Sequence, residues 1–411
     1  MTTEVLVKFY DTDENELTDS IQVPITISSE HLHEIIPETS TKSHMFYIYG
    51  EPILSTLEEC ILKTNISKEN LIPIKLVKEL PTKKPAKFCN SSFSGHEQAV
   101  LKVKILNNDL AVTSGGDGTV RFWDLNTKTT KKIVKVADHW VLSLKSCKDF
   151  IAAGSMDGTL SLIKLNNDFE IIKHKNHNGN GISCIEVCSI NATNVIITGG
   201  REGKVCILKE DGEIIYSYTH KGPVDCLLYH KGFLYSTGRF GDIKVYKIGL
   251  NSDEIKFIKE IRGHTKRINS IKIKNDNLFT ASDDCKINIY QISKNYTVER
   301  QLLHKNVVSS IDISENGLFI ASCSFDKTVR IWDISSGNSL ATYFHVDSVY
   351  KVIFCSNLVI SISKDKTVKT FCTKIKKVQS ELVCGDEIFD VDYQNGIMVC
   401  GCRNRMVYFF A

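Results

Sequence analysis

The sequence has little proline, no long apolar run and no CxxC pair of cysteines, and each absence removes a class of protein. Only 7 of the 411 residues are proline. No apolar run approaches the roughly 18 residues that would cross a bilayer, and the first residues include acids where a signal peptide would be apolar. The fourteen cysteines are scattered without a CxxC pair. We therefore expect reduced, mostly buried thiols and no membrane association.

Motifs of common enzyme active sites are also missing. The run Gly115-Gly116-Asp117-Gly118 lacks the Lys-Ser/Thr pair of a phosphate-binding loop, and neither GxSxG nor HExxH occurs. The lysine-rich tracts 128–132 and 374–377 could contact phosphates, although solvated loops explain them equally well. The sequence therefore predicts a protein that is not an enzyme, with no small-molecule substrate and no cofactor of its own.

One pattern, repeated eight times, fills the chain from residue 87 onward. The apolar residues that open the units are separated by 39 to 44 residues. They are Val100, Val141, Ile182, Val224, Ile268, Val308, Val349 and Ile388. Such a period, built from short β-runs, is typical of a β-propeller in which each unit is a four-stranded blade. The eighth unit is one strand short, and residues 87–93 are predicted to supply that strand and close the ring.

Glycine, proline and charge all change near residue 86. Six of the seven prolines but only one of 24 glycines lie before that point. Residues 1–80 carry 6 Lys+Arg and 14 Asp+Glu, a net charge of −8, whereas the remainder carries 45 and 34, a net charge of +11. We therefore divide the chain into a domain at 1–80, a basic linker at 81–86 and a propeller at 87–411. The opposite charges suggest two partners, one cationic or metal-bearing and one polyanionic.

The first eighty residues read as two strands, a helix, a third strand, a second short helix and a last strand. Alternating apolar residues mark the strands, and Ser28 or Ser29 is placed to cap the first helix. This order is that of a ubiquitin-like β-grasp domain. The overall prediction is a mainly β protein with an N-terminal ubiquitin-like domain and an eight-bladed WD40 β-propeller. Ring closure by residues 87–93 suggests that the first domain lies beside the seam between blades one and eight.

The repeats carry His, Ser/Thr, Asp and Trp at the spacing of WD repeats, where these side chains form a hydrogen-bonded network that locks a blade. Their recurrence once per blade argues for structural locking and against catalysis. Two repeats look complete, and the candidate network residues are His96, Asp117 and Trp123 in repeat one and His304, Ser322, Asp326 and Trp332 in repeat six. The other repeats look eroded: repeat three shows only Glu202 and Leu208, and repeat four has Phe240 in place of the turn Asp.

Several segments resemble one family more closely than WD repeats in general. They are residues 95–124 (GHEQAVLKVKILNNDLAVTSGGDGTVRFWD), 139–143 (HWVLS), 232–236 (GFLYS), 320–333 (IASCSFDKTVRIWD), 348–352 (SVYKV) and 386–393 (DEIFDVDY). In them the chain resembles the Notchless family of ribosome-assembly factors, which pairs a ubiquitin-like domain with an eight-bladed WD propeller. The resemblance covers essentially the whole chain, although repeat five lacks the insertion usual in that family.

The resemblance implies a non-catalytic assembly factor for the large (60S) ribosomal subunit, in the nucleus and nucleolus. In that family the propeller docks on the pre-60S particle, with its rRNA and ribosomal proteins, as a monomer within a large assembly. The AAA ATPase midasin grips the ubiquitin-like domain, whose carboxylate completes the Mg²⁺ coordination of midasin's MIDAS domain and so shares that ion in trans. Matching the family motif to residues 66–72 (ISKENLI) makes Glu69 the expected ligand, with Glu51 as the fallback.

Other interpretations share parts of this pattern. The WD-repeat subunit of the PeBoW complex has the same layout and mechanism and acts on an earlier particle; a seven-bladed ring would favour it. A generic WD40 scaffold or ubiquitin-ligase substrate receptor would instead predict no ribosomal precursor and no metal dependence.

Overall fold

The chain folds into a small mixed sheet followed by a ring of antiparallel sheets. This computed structural model describes residues 4–11, 15–36, 44–49, 51–53, 55–64, 66–67, 70–78, 89–165, 168–191 and 193–410. Glu69 and the basic linker at 81–86 lie outside the described residues.

The N-terminal domain is a five-stranded sheet with two helices. The strands are β1 (Glu4–Tyr10), β2 (Ile21–Pro24), β3 (His44–Ile48), β4 (Glu51–Pro52) and β5 (Ile72–Lys78), and the helices are α1 (Ser29–Ile35) and α2 (Leu57–Thr64). The strand order is β2-β1-β5-β3-β4, with β1 and β5 parallel. The side chain of Ser28 accepts a hydrogen bond from the backbone N–H of His31 and so caps α1. Alternating residues of β1, among them Val7 and Phe9, are fully buried and pack with Leu32 of α1.

Residues 89–410 form eight four-stranded sheets, which we call blades one to eight. Blade one contains β7 (Val100–Ile105), β8 (Leu110–Gly115), β9 (Thr119–Asp124) and β10 (Thr129–Lys135); blade two contains β11 (Val141–Ser146), β12 (Phe150–Ser155), β13 (Thr159–Lys164) and β14 (Ile171–Lys175); blade three contains β15 (Ile182–Ile190), β16 (Thr193–Gly200), β17 (Lys204–Lys209) and β18 (Ile214–Thr219); blade four contains β19 (Val224–His230), β20 (Phe233–Gly238), β21 (Asp242–Lys247) and β22 (Lys256–Arg262).

The remaining blades repeat this arrangement. Blade five contains β23 (Ile268–Lys274), β24 (Asn277–Ser282), β25 (Lys286–Gln291) and β26 (Thr297–Leu303); blade six contains β27 (Val308–Ile313), β28 (Phe319–Ser324), β29 (Thr328–Asp333) and β30 (Ser339–Phe344); blade seven contains β31 (Val349–Cys355), β32 (Leu358–Ser363), β33 (Thr367–Cys372) and β34 (Lys377–Val383); blade eight contains β35 (Ile388–Gln394), β36 (Ile397–Cys402), β37 (Met406–Phe410) and β6 (Cys89–Ser94). A short 3-10 helix, Ser252–Glu254, precedes β22. The first strands of neighbouring blades lie side by side, so they form the inner wall of the ring.

The ring closes at blade eight, where β6 pairs antiparallel with β37 although the two strands are separated by more than 300 residues. The ring of Phe93 on β6 stacks on Trp123 of blade one at 5.2 Å and meets Phe409 edge-on at 4.3 Å. On the inner wall, the backbone N–H of Val103 in blade one donates to Asp390 of blade eight at 2.9 Å. Aromatic packing and an inner hydrogen bond therefore join the two ends of the propeller.

The tight turns between the second and third strands have a left-handed residue in every blade, but glycine is not always that residue. The first four blades use glycine, and at Gly118 a Cβ atom would lie only 2.2 Å from the carbonyl oxygen of Ala137, so no side chain fits there. The last four blades place Cys285, Lys327, Lys366 and Arg405 at this position, with φ between 69° and 72°. Glycine, which adopts this conformation without strain, therefore supplies the left-handed turn residue in half of the ring, and other residues supply it in the other half.

The N-terminal domain packs on blades five to seven, so the expected position beside the seam between blades one and eight is wrong. Tyr47 meets Phe319 of blade six with ring centroids 6.0 Å apart, and Val77 belongs to the same apolar cluster. Glu51 forms an ion pair with Lys376 in the last turn of blade seven. The ten residues between β5 and β6 can extend over roughly 35 Å, so apolar contact and not chain connectivity decides where the domain docks.

Candidate functional site

The predicted network of blade one joins four side chains. His96 Nδ1 lies 3.0 Å from Asp117 Oδ2, and His96 Nε2 lies 2.8 Å from Thr113 Oγ1. The indole N–H of Trp123 donates to the same hydroxyl at 2.8 Å. His96 and Trp123 are almost completely buried, so the network leaves no room for a substrate and serves to hold the turn.

Blade six repeats this arrangement. His304 lies 2.9 Å from Asp326 and 2.7 Å from the Ser322 hydroxyl, to which the Trp332 indole N–H donates at 2.7 Å. Burial alone would raise the pKa of Asp326, but hydrogen bonds from His304, Thr328 and a backbone N–H outweigh it and hold that pKa well below its usual range. The carboxylate is therefore charged and committed to the network.

Blade three has a network that sequence reasoning missed. His177 Nδ1 lies 2.6 Å from Glu202 Oε1, and Nε2 lies 2.7 Å from Thr198 Oγ1. His177 stands five residues before the opening residue Ile182, whereas the other network histidines stand four residues before theirs. A search that tolerated one inserted residue and accepted Glu for Asp would have found it.

Blade four also keeps its network, with two substitutions. Asp242, two residues beyond Phe240, lies 2.6 Å from His220 Nδ1, while His220 Nε2 lies 2.8 Å from the Ser236 hydroxyl. The hydroxyl of Tyr218 donates to Ser236 at 2.8 Å in the place that a Trp N–H takes elsewhere. Since Tyr218 belongs to β18 of blade three, this network also links two neighbouring blades.

Blade seven uses the same interblade tyrosine. His345 lies 3.0 Å from Asp365 and 2.8 Å from the Ser361 hydroxyl, which accepts from Tyr343 of blade six at 3.1 Å. Tyr343 stacks on Phe371, the residue at the usual Trp position, with centroids 4.9 Å apart. Blade five has the corresponding contacts among His264, Asp284 and Thr280.

Blades two and eight depart from the pattern within the described residues. Blade two has Ala137 at the histidine position. Blade eight has buried Cys384 there, next to two further buried thiols in the same cluster, Cys400 and Cys402. The Tyr408 hydroxyl accepts from the Gly385 N–H at 3.0 Å and from the Asn404 amide at 3.1 Å. The blade that closes the ring is thus held by a tyrosine-centred network.

We expect these networks to make the propeller sensitive to acid. Burial lowers the pKa of His345 from its ordinary 6.5, so the unfolded chain binds more protons and stability falls as the pH drops below about 6.5. The lowered pKa of Asp326 makes a second contribution to stability. This contribution is fully present above about pH 3.8, the ordinary pKa of an aspartate, and is lost as the pH falls further. Urea midpoints measured from pH 8 to pH 3 should stay level down to about 6.5 and then decline in two stages. A midpoint that rises on acidification would contradict this assignment. His345→Asn should make the upper stage shallower without removing it, because burial also lowers the pKa of His177.

Lysine–carboxylate pairs between neighbouring blades cross the inner wall of the ring. Each lysine and each carboxylate lies on the first strand of its blade. The pairs are Lys145–Glu186 at 2.7 Å, Lys272–Asp312 at 2.9 Å, Lys351–Asp390 at 2.6 Å and Lys104–Asp392 at 3.0 Å. These ion pairs neutralise charges that line the channel. They link blade two to blade three, blade five to blade six, blade seven to blade eight and blade eight to blade one.

The structure describes one of the two candidate carboxylates of the N-terminal domain. Glu51 is in the described part of the chain, where its side chain is only 21% exposed and is paired with Lys376. Glu69 lies outside it. A cleft of about 580 Å³ separates the domain from blades five and six, with Tyr10, Tyr49 and Arg300 among its lining residues. Glu51 is thus engaged by the propeller in this arrangement.

The described residues contain no cluster of three or more His, Cys, Asp or Glu side chains arranged to hold a metal ion. Within the same ranges, no helix has the length and apolar character needed to cross a membrane. In the described residues, the polar groups of the blade networks are buried and hydrogen-bonded to one another, as expected for groups that hold the structure together.

A family model for the WD domain, G-beta repeat, matches residues 87–124, 255–291 and 297–333. These three segments contain the complete networks of blades one and six and the third strand of blade five. The chain is a WD-repeat propeller protein. The predictions of a mainly β fold and of WD repeats are confirmed.

Three curated relatives of this WD-repeat protein differ in how much they share with it. The ribosome biogenesis protein YTM1 of Kluyveromyces lactis is 21% identical over 84% of this chain and 89% of its own length. Protein Notchless of Drosophila melanogaster is 30% identical over 26% of this chain and 24% of its own length. The nuclear distribution protein PAC1 of Candida glabrata is 23% identical over 71% of this chain, and the match spans 60% of that protein.

Solved structures share the fold at low identity. Chaetomium thermophilum Sqt1, solved with the N-terminus of ribosomal protein L10, has a TM-score of 0.70 and 15% identity, covering 78% of this chain and 99% of that one. The computationally designed Ika8 protein has the same TM-score and 20% identity, covering 78% of this chain and 98% of that one. These similarities concern the propeller fold alone.

Proposed function

We propose that this WD-repeat protein is a non-catalytic assembly factor for the large (60S) ribosomal subunit, acting in the nucleus and nucleolus. The propeller docks on the pre-60S particle. The N-terminal domain presents a carboxylate to the Mg²⁺ of the MIDAS domain of midasin, and ATP hydrolysis by midasin then pulls the factor off the particle and drives its maturation.

The observation that carries this proposal is the alignment with a ribosome biogenesis protein, YTM1, over 84% of the chain and 89% of that protein. Residues 87–411 make up 325 of the 411 residues, or about 79% of the chain. The aligned part therefore reaches into the residues before the propeller. The shorter match to Notchless supports the same class of function.

The N-terminal domain supports the proposal through its topology. We assign it as ubiquitin-like because its sheet has the order β2-β1-β5-β3-β4, with a central parallel pair and a helix following the first hairpin. Its net charge of −8 over residues 1–80 suits a partner that offers a cation. Such a domain is a recognition module that a partner can bind without altering the propeller.

Of the two candidate carboxylates, Glu69 is the one we assign as the metal ligand. Mg²⁺ requires near-octahedral oxygen ligation at about 2.0–2.1 Å, so an open coordination position recruits a projecting carboxylate. Glu51 is paired with Lys376 and lies where the domain contacts the propeller, so a partner would have to break that ion pair to reach it. Glu69 is chosen because it lies in the segment that matches the family motif, residues 66–72.

We expect Glu69→Ala to abolish Mg²⁺-dependent binding of midasin while leaving the fold intact, because the alanine offers no oxygen to the metal. Glu69→Asp should weaken binding, since the shorter side chain misplaces its carboxylate. The measurement is affinity purification of the tagged full-length chain, with RNA and protein partners identified, in the presence and absence of EDTA. Glu51→Ala serves as the matched control and should retain midasin.

Recovery of large-subunit precursor rRNA with midasin, the latter lost on EDTA treatment or in Glu69→Ala, is the expected result. Unchanged midasin binding by Glu69→Ala would remove Glu69 from the site. Recovery of a ubiquitin-ligase or signalling complex without ribosomal precursors would overturn the proposal in favour of a generic scaffold.

The WD-repeat subunit of the PeBoW complex remains a second candidate. The longer alignment is with a ribosome biogenesis protein other than Notchless, whereas the eight sheets favour the Notchless arrangement. The precursor rRNA species recovered with the tagged chain separate the two, because the PeBoW subunit acts on an earlier particle.

A further inference from the structure

One rim of the propeller carries a cavity that the blade networks and the N-terminal domain do not use. It has a volume of about 490 Å³ and spans blades eight, one and two. Leu101 and Phe389 follow the opening residues of blades one and eight, and Trp140 precedes the first strand of blade two. Arg403 and Arg405, in the turn between the second and third strands of blade eight, also line it, together with Glu97, Gln98, Ala99 and Gly116.

Trp140 is the most informative residue of this cavity. Its side chain is 52% exposed, whereas Trp123 and Trp332 are 1% and 6% exposed and belong to blade networks. The edge of the indole lies against Gly116, where a Cβ atom would come within 3.4 Å of it. A large aromatic side chain that contributes little to the core and forms the wall of a cavity is typical of a binding hot spot.

The apolar character continues beyond the cavity across blades eight to six. Phe389 contacts Tyr350 of blade seven at a centroid distance of 6.4 Å, and Tyr350 contacts Phe325 of blade six at 6.0 Å. Phe325 is 37% exposed. These rings form a strip along which an extended segment can lie with one large side chain in the cavity.

Charge decides what kind of molecule fits this strip. On blades seven and eight, the cations at this rim other than Arg405 have a carboxylate partner: Arg403–Glu387 at 3.4 Å, Lys364–Asp347 at 3.7 Å and Lys366–Asp386 at 3.8 Å. A polyanion such as RNA gains most where unpaired cations release counterions, and it would be repelled by these carboxylates. Arg405 is exposed and, among the described residues, has no carboxylate partner.

We infer that this cavity binds a protein segment in which an aromatic or large aliphatic residue stands next to a carboxylate. The apolar side chain fills the cavity beside Trp140, and the carboxylate pairs with Arg405. In a four-stranded antiparallel blade, the turn between strands two and three and the loop to the next blade lie at the same end. The N-terminal domain contacts the opposite end, near Leu318 and Lys376, so both sites can be occupied together. This inference does not depend on the proposed function.

The test uses the full-length chain and a phage-displayed library of random heptapeptides, with selected peptides resynthesised for titration. Bound peptide should shift the emission of Trp140, which is the exposed tryptophan. We expect selected sequences to combine an acidic residue with an adjacent aromatic or aliphatic one. Labelled peptide measured by anisotropy should bind at least tenfold more weakly to Trp140→Ala and to Arg405→Gln, and equally well to the control Phe257→Ala, which removes an exposed ring from the outer strand of blade four.

Selection of the same peptides by a Trp140→Ala/Arg405→Gln double variant that melts like the parent would overturn the inference, as would failure to enrich any sequence. If an oligouridylate shifts the Trp140 emission only when Arg405 is present, and binds with higher affinity than the peptides that it displaces, the strip would be assigned to RNA instead.

Discussion

Replacing Lys351 by alanine is expected to lower the free energy of unfolding by about 3 kcal/mol, because it strands a buried carboxylate. Asp390 is only 3% exposed, and its two oxygens are taken up by Lys351 Nζ at 2.6 Å and the Val103 N–H at 2.9 Å. Burial alone would lower the pKa of Lys351, but Asp390, Asp392 and Asp312 outweigh it and raise that pKa. The pair is therefore fully charged, and alanine leaves one charge without its partner. Urea unfolding followed by circular dichroism measures the loss.

A matched pair on the same wall provides the control. Lys104 is 45% exposed and its partner Asp392 is 15% exposed, while Asp392 also accepts from the Ile105 N–H at 2.8 Å. Lys104→Ala should cost no more than about 1 kcal/mol because water can replace the lysine. Asp390→Asn should cost less than Lys351→Ala, since the amide still accepts from Val103 and the lysine, one-third exposed, reaches water. Equal losses for Lys351→Ala and Lys104→Ala would show that burial of the carboxylate does not control the effect.

Replacing Phe93 by alanine is expected to open the seam of the ring, with a loss of about 2–3 kcal/mol. The ring of Phe93 lies between Trp123 of blade one and Phe409 of blade eight, so truncation removes contacts on both sides of the closure. The strand β6 then depends on its backbone pairing with β37 alone. Hydrogen–deuterium exchange should increase first at Met406–Phe410, and the urea midpoint should fall.

Phe257→Ala is again a suitable comparison, because Phe257 also lies on an outer strand but is 53% exposed. It should leave exchange at β37 unchanged and lower the midpoint less than Phe93→Ala does, because it removes an edge-on contact with Tyr246 at 5.3 Å and no contact at the seam. If Phe93→Ala increased exchange evenly over all eight blades, closure at blade eight would not be the weak point of the ring.

The sequence was sufficient for the architecture wherever each element depends on residues close to it in the chain. A period of 39 to 44 residues predicts one four-stranded sheet per unit, since strands joined by short turns pair with their neighbours. The WD-repeat propeller predicted in this way is confirmed. The place of β6 beside β37 follows from the same counting, because a unit with three strands leaves an edge that the ring must cover.

Sequence reasoning was less successful with the eroded blades, for a physical reason. A network needs a carboxylate and a hydroxyl at given points in space, and residues at neighbouring positions can supply them. Asp242 replaces the expected residue at 240, and Tyr218 donates from the preceding blade. His177 reaches its site across one additional residue. A fixed spacing therefore underestimates how many blades keep their histidine–carboxylate pair.

What the sequence alone determined is the repeat, and with it the WD-repeat fold and the two complete networks around Trp123 and Trp332. Only the tertiary structure decided which blades receive the N-terminal domain, how Lys351 meets Asp390 and where Trp140 joins Phe389 in one cavity. Lys351 and Asp390 lie one repeat length apart, whereas Trp140 and Phe389, and Tyr47 and Phe319, are roughly 250 to 270 positions apart. Closing the ring and docking the N-terminal domain bring these distant pairs together, and neither step leaves a local pattern in the chain.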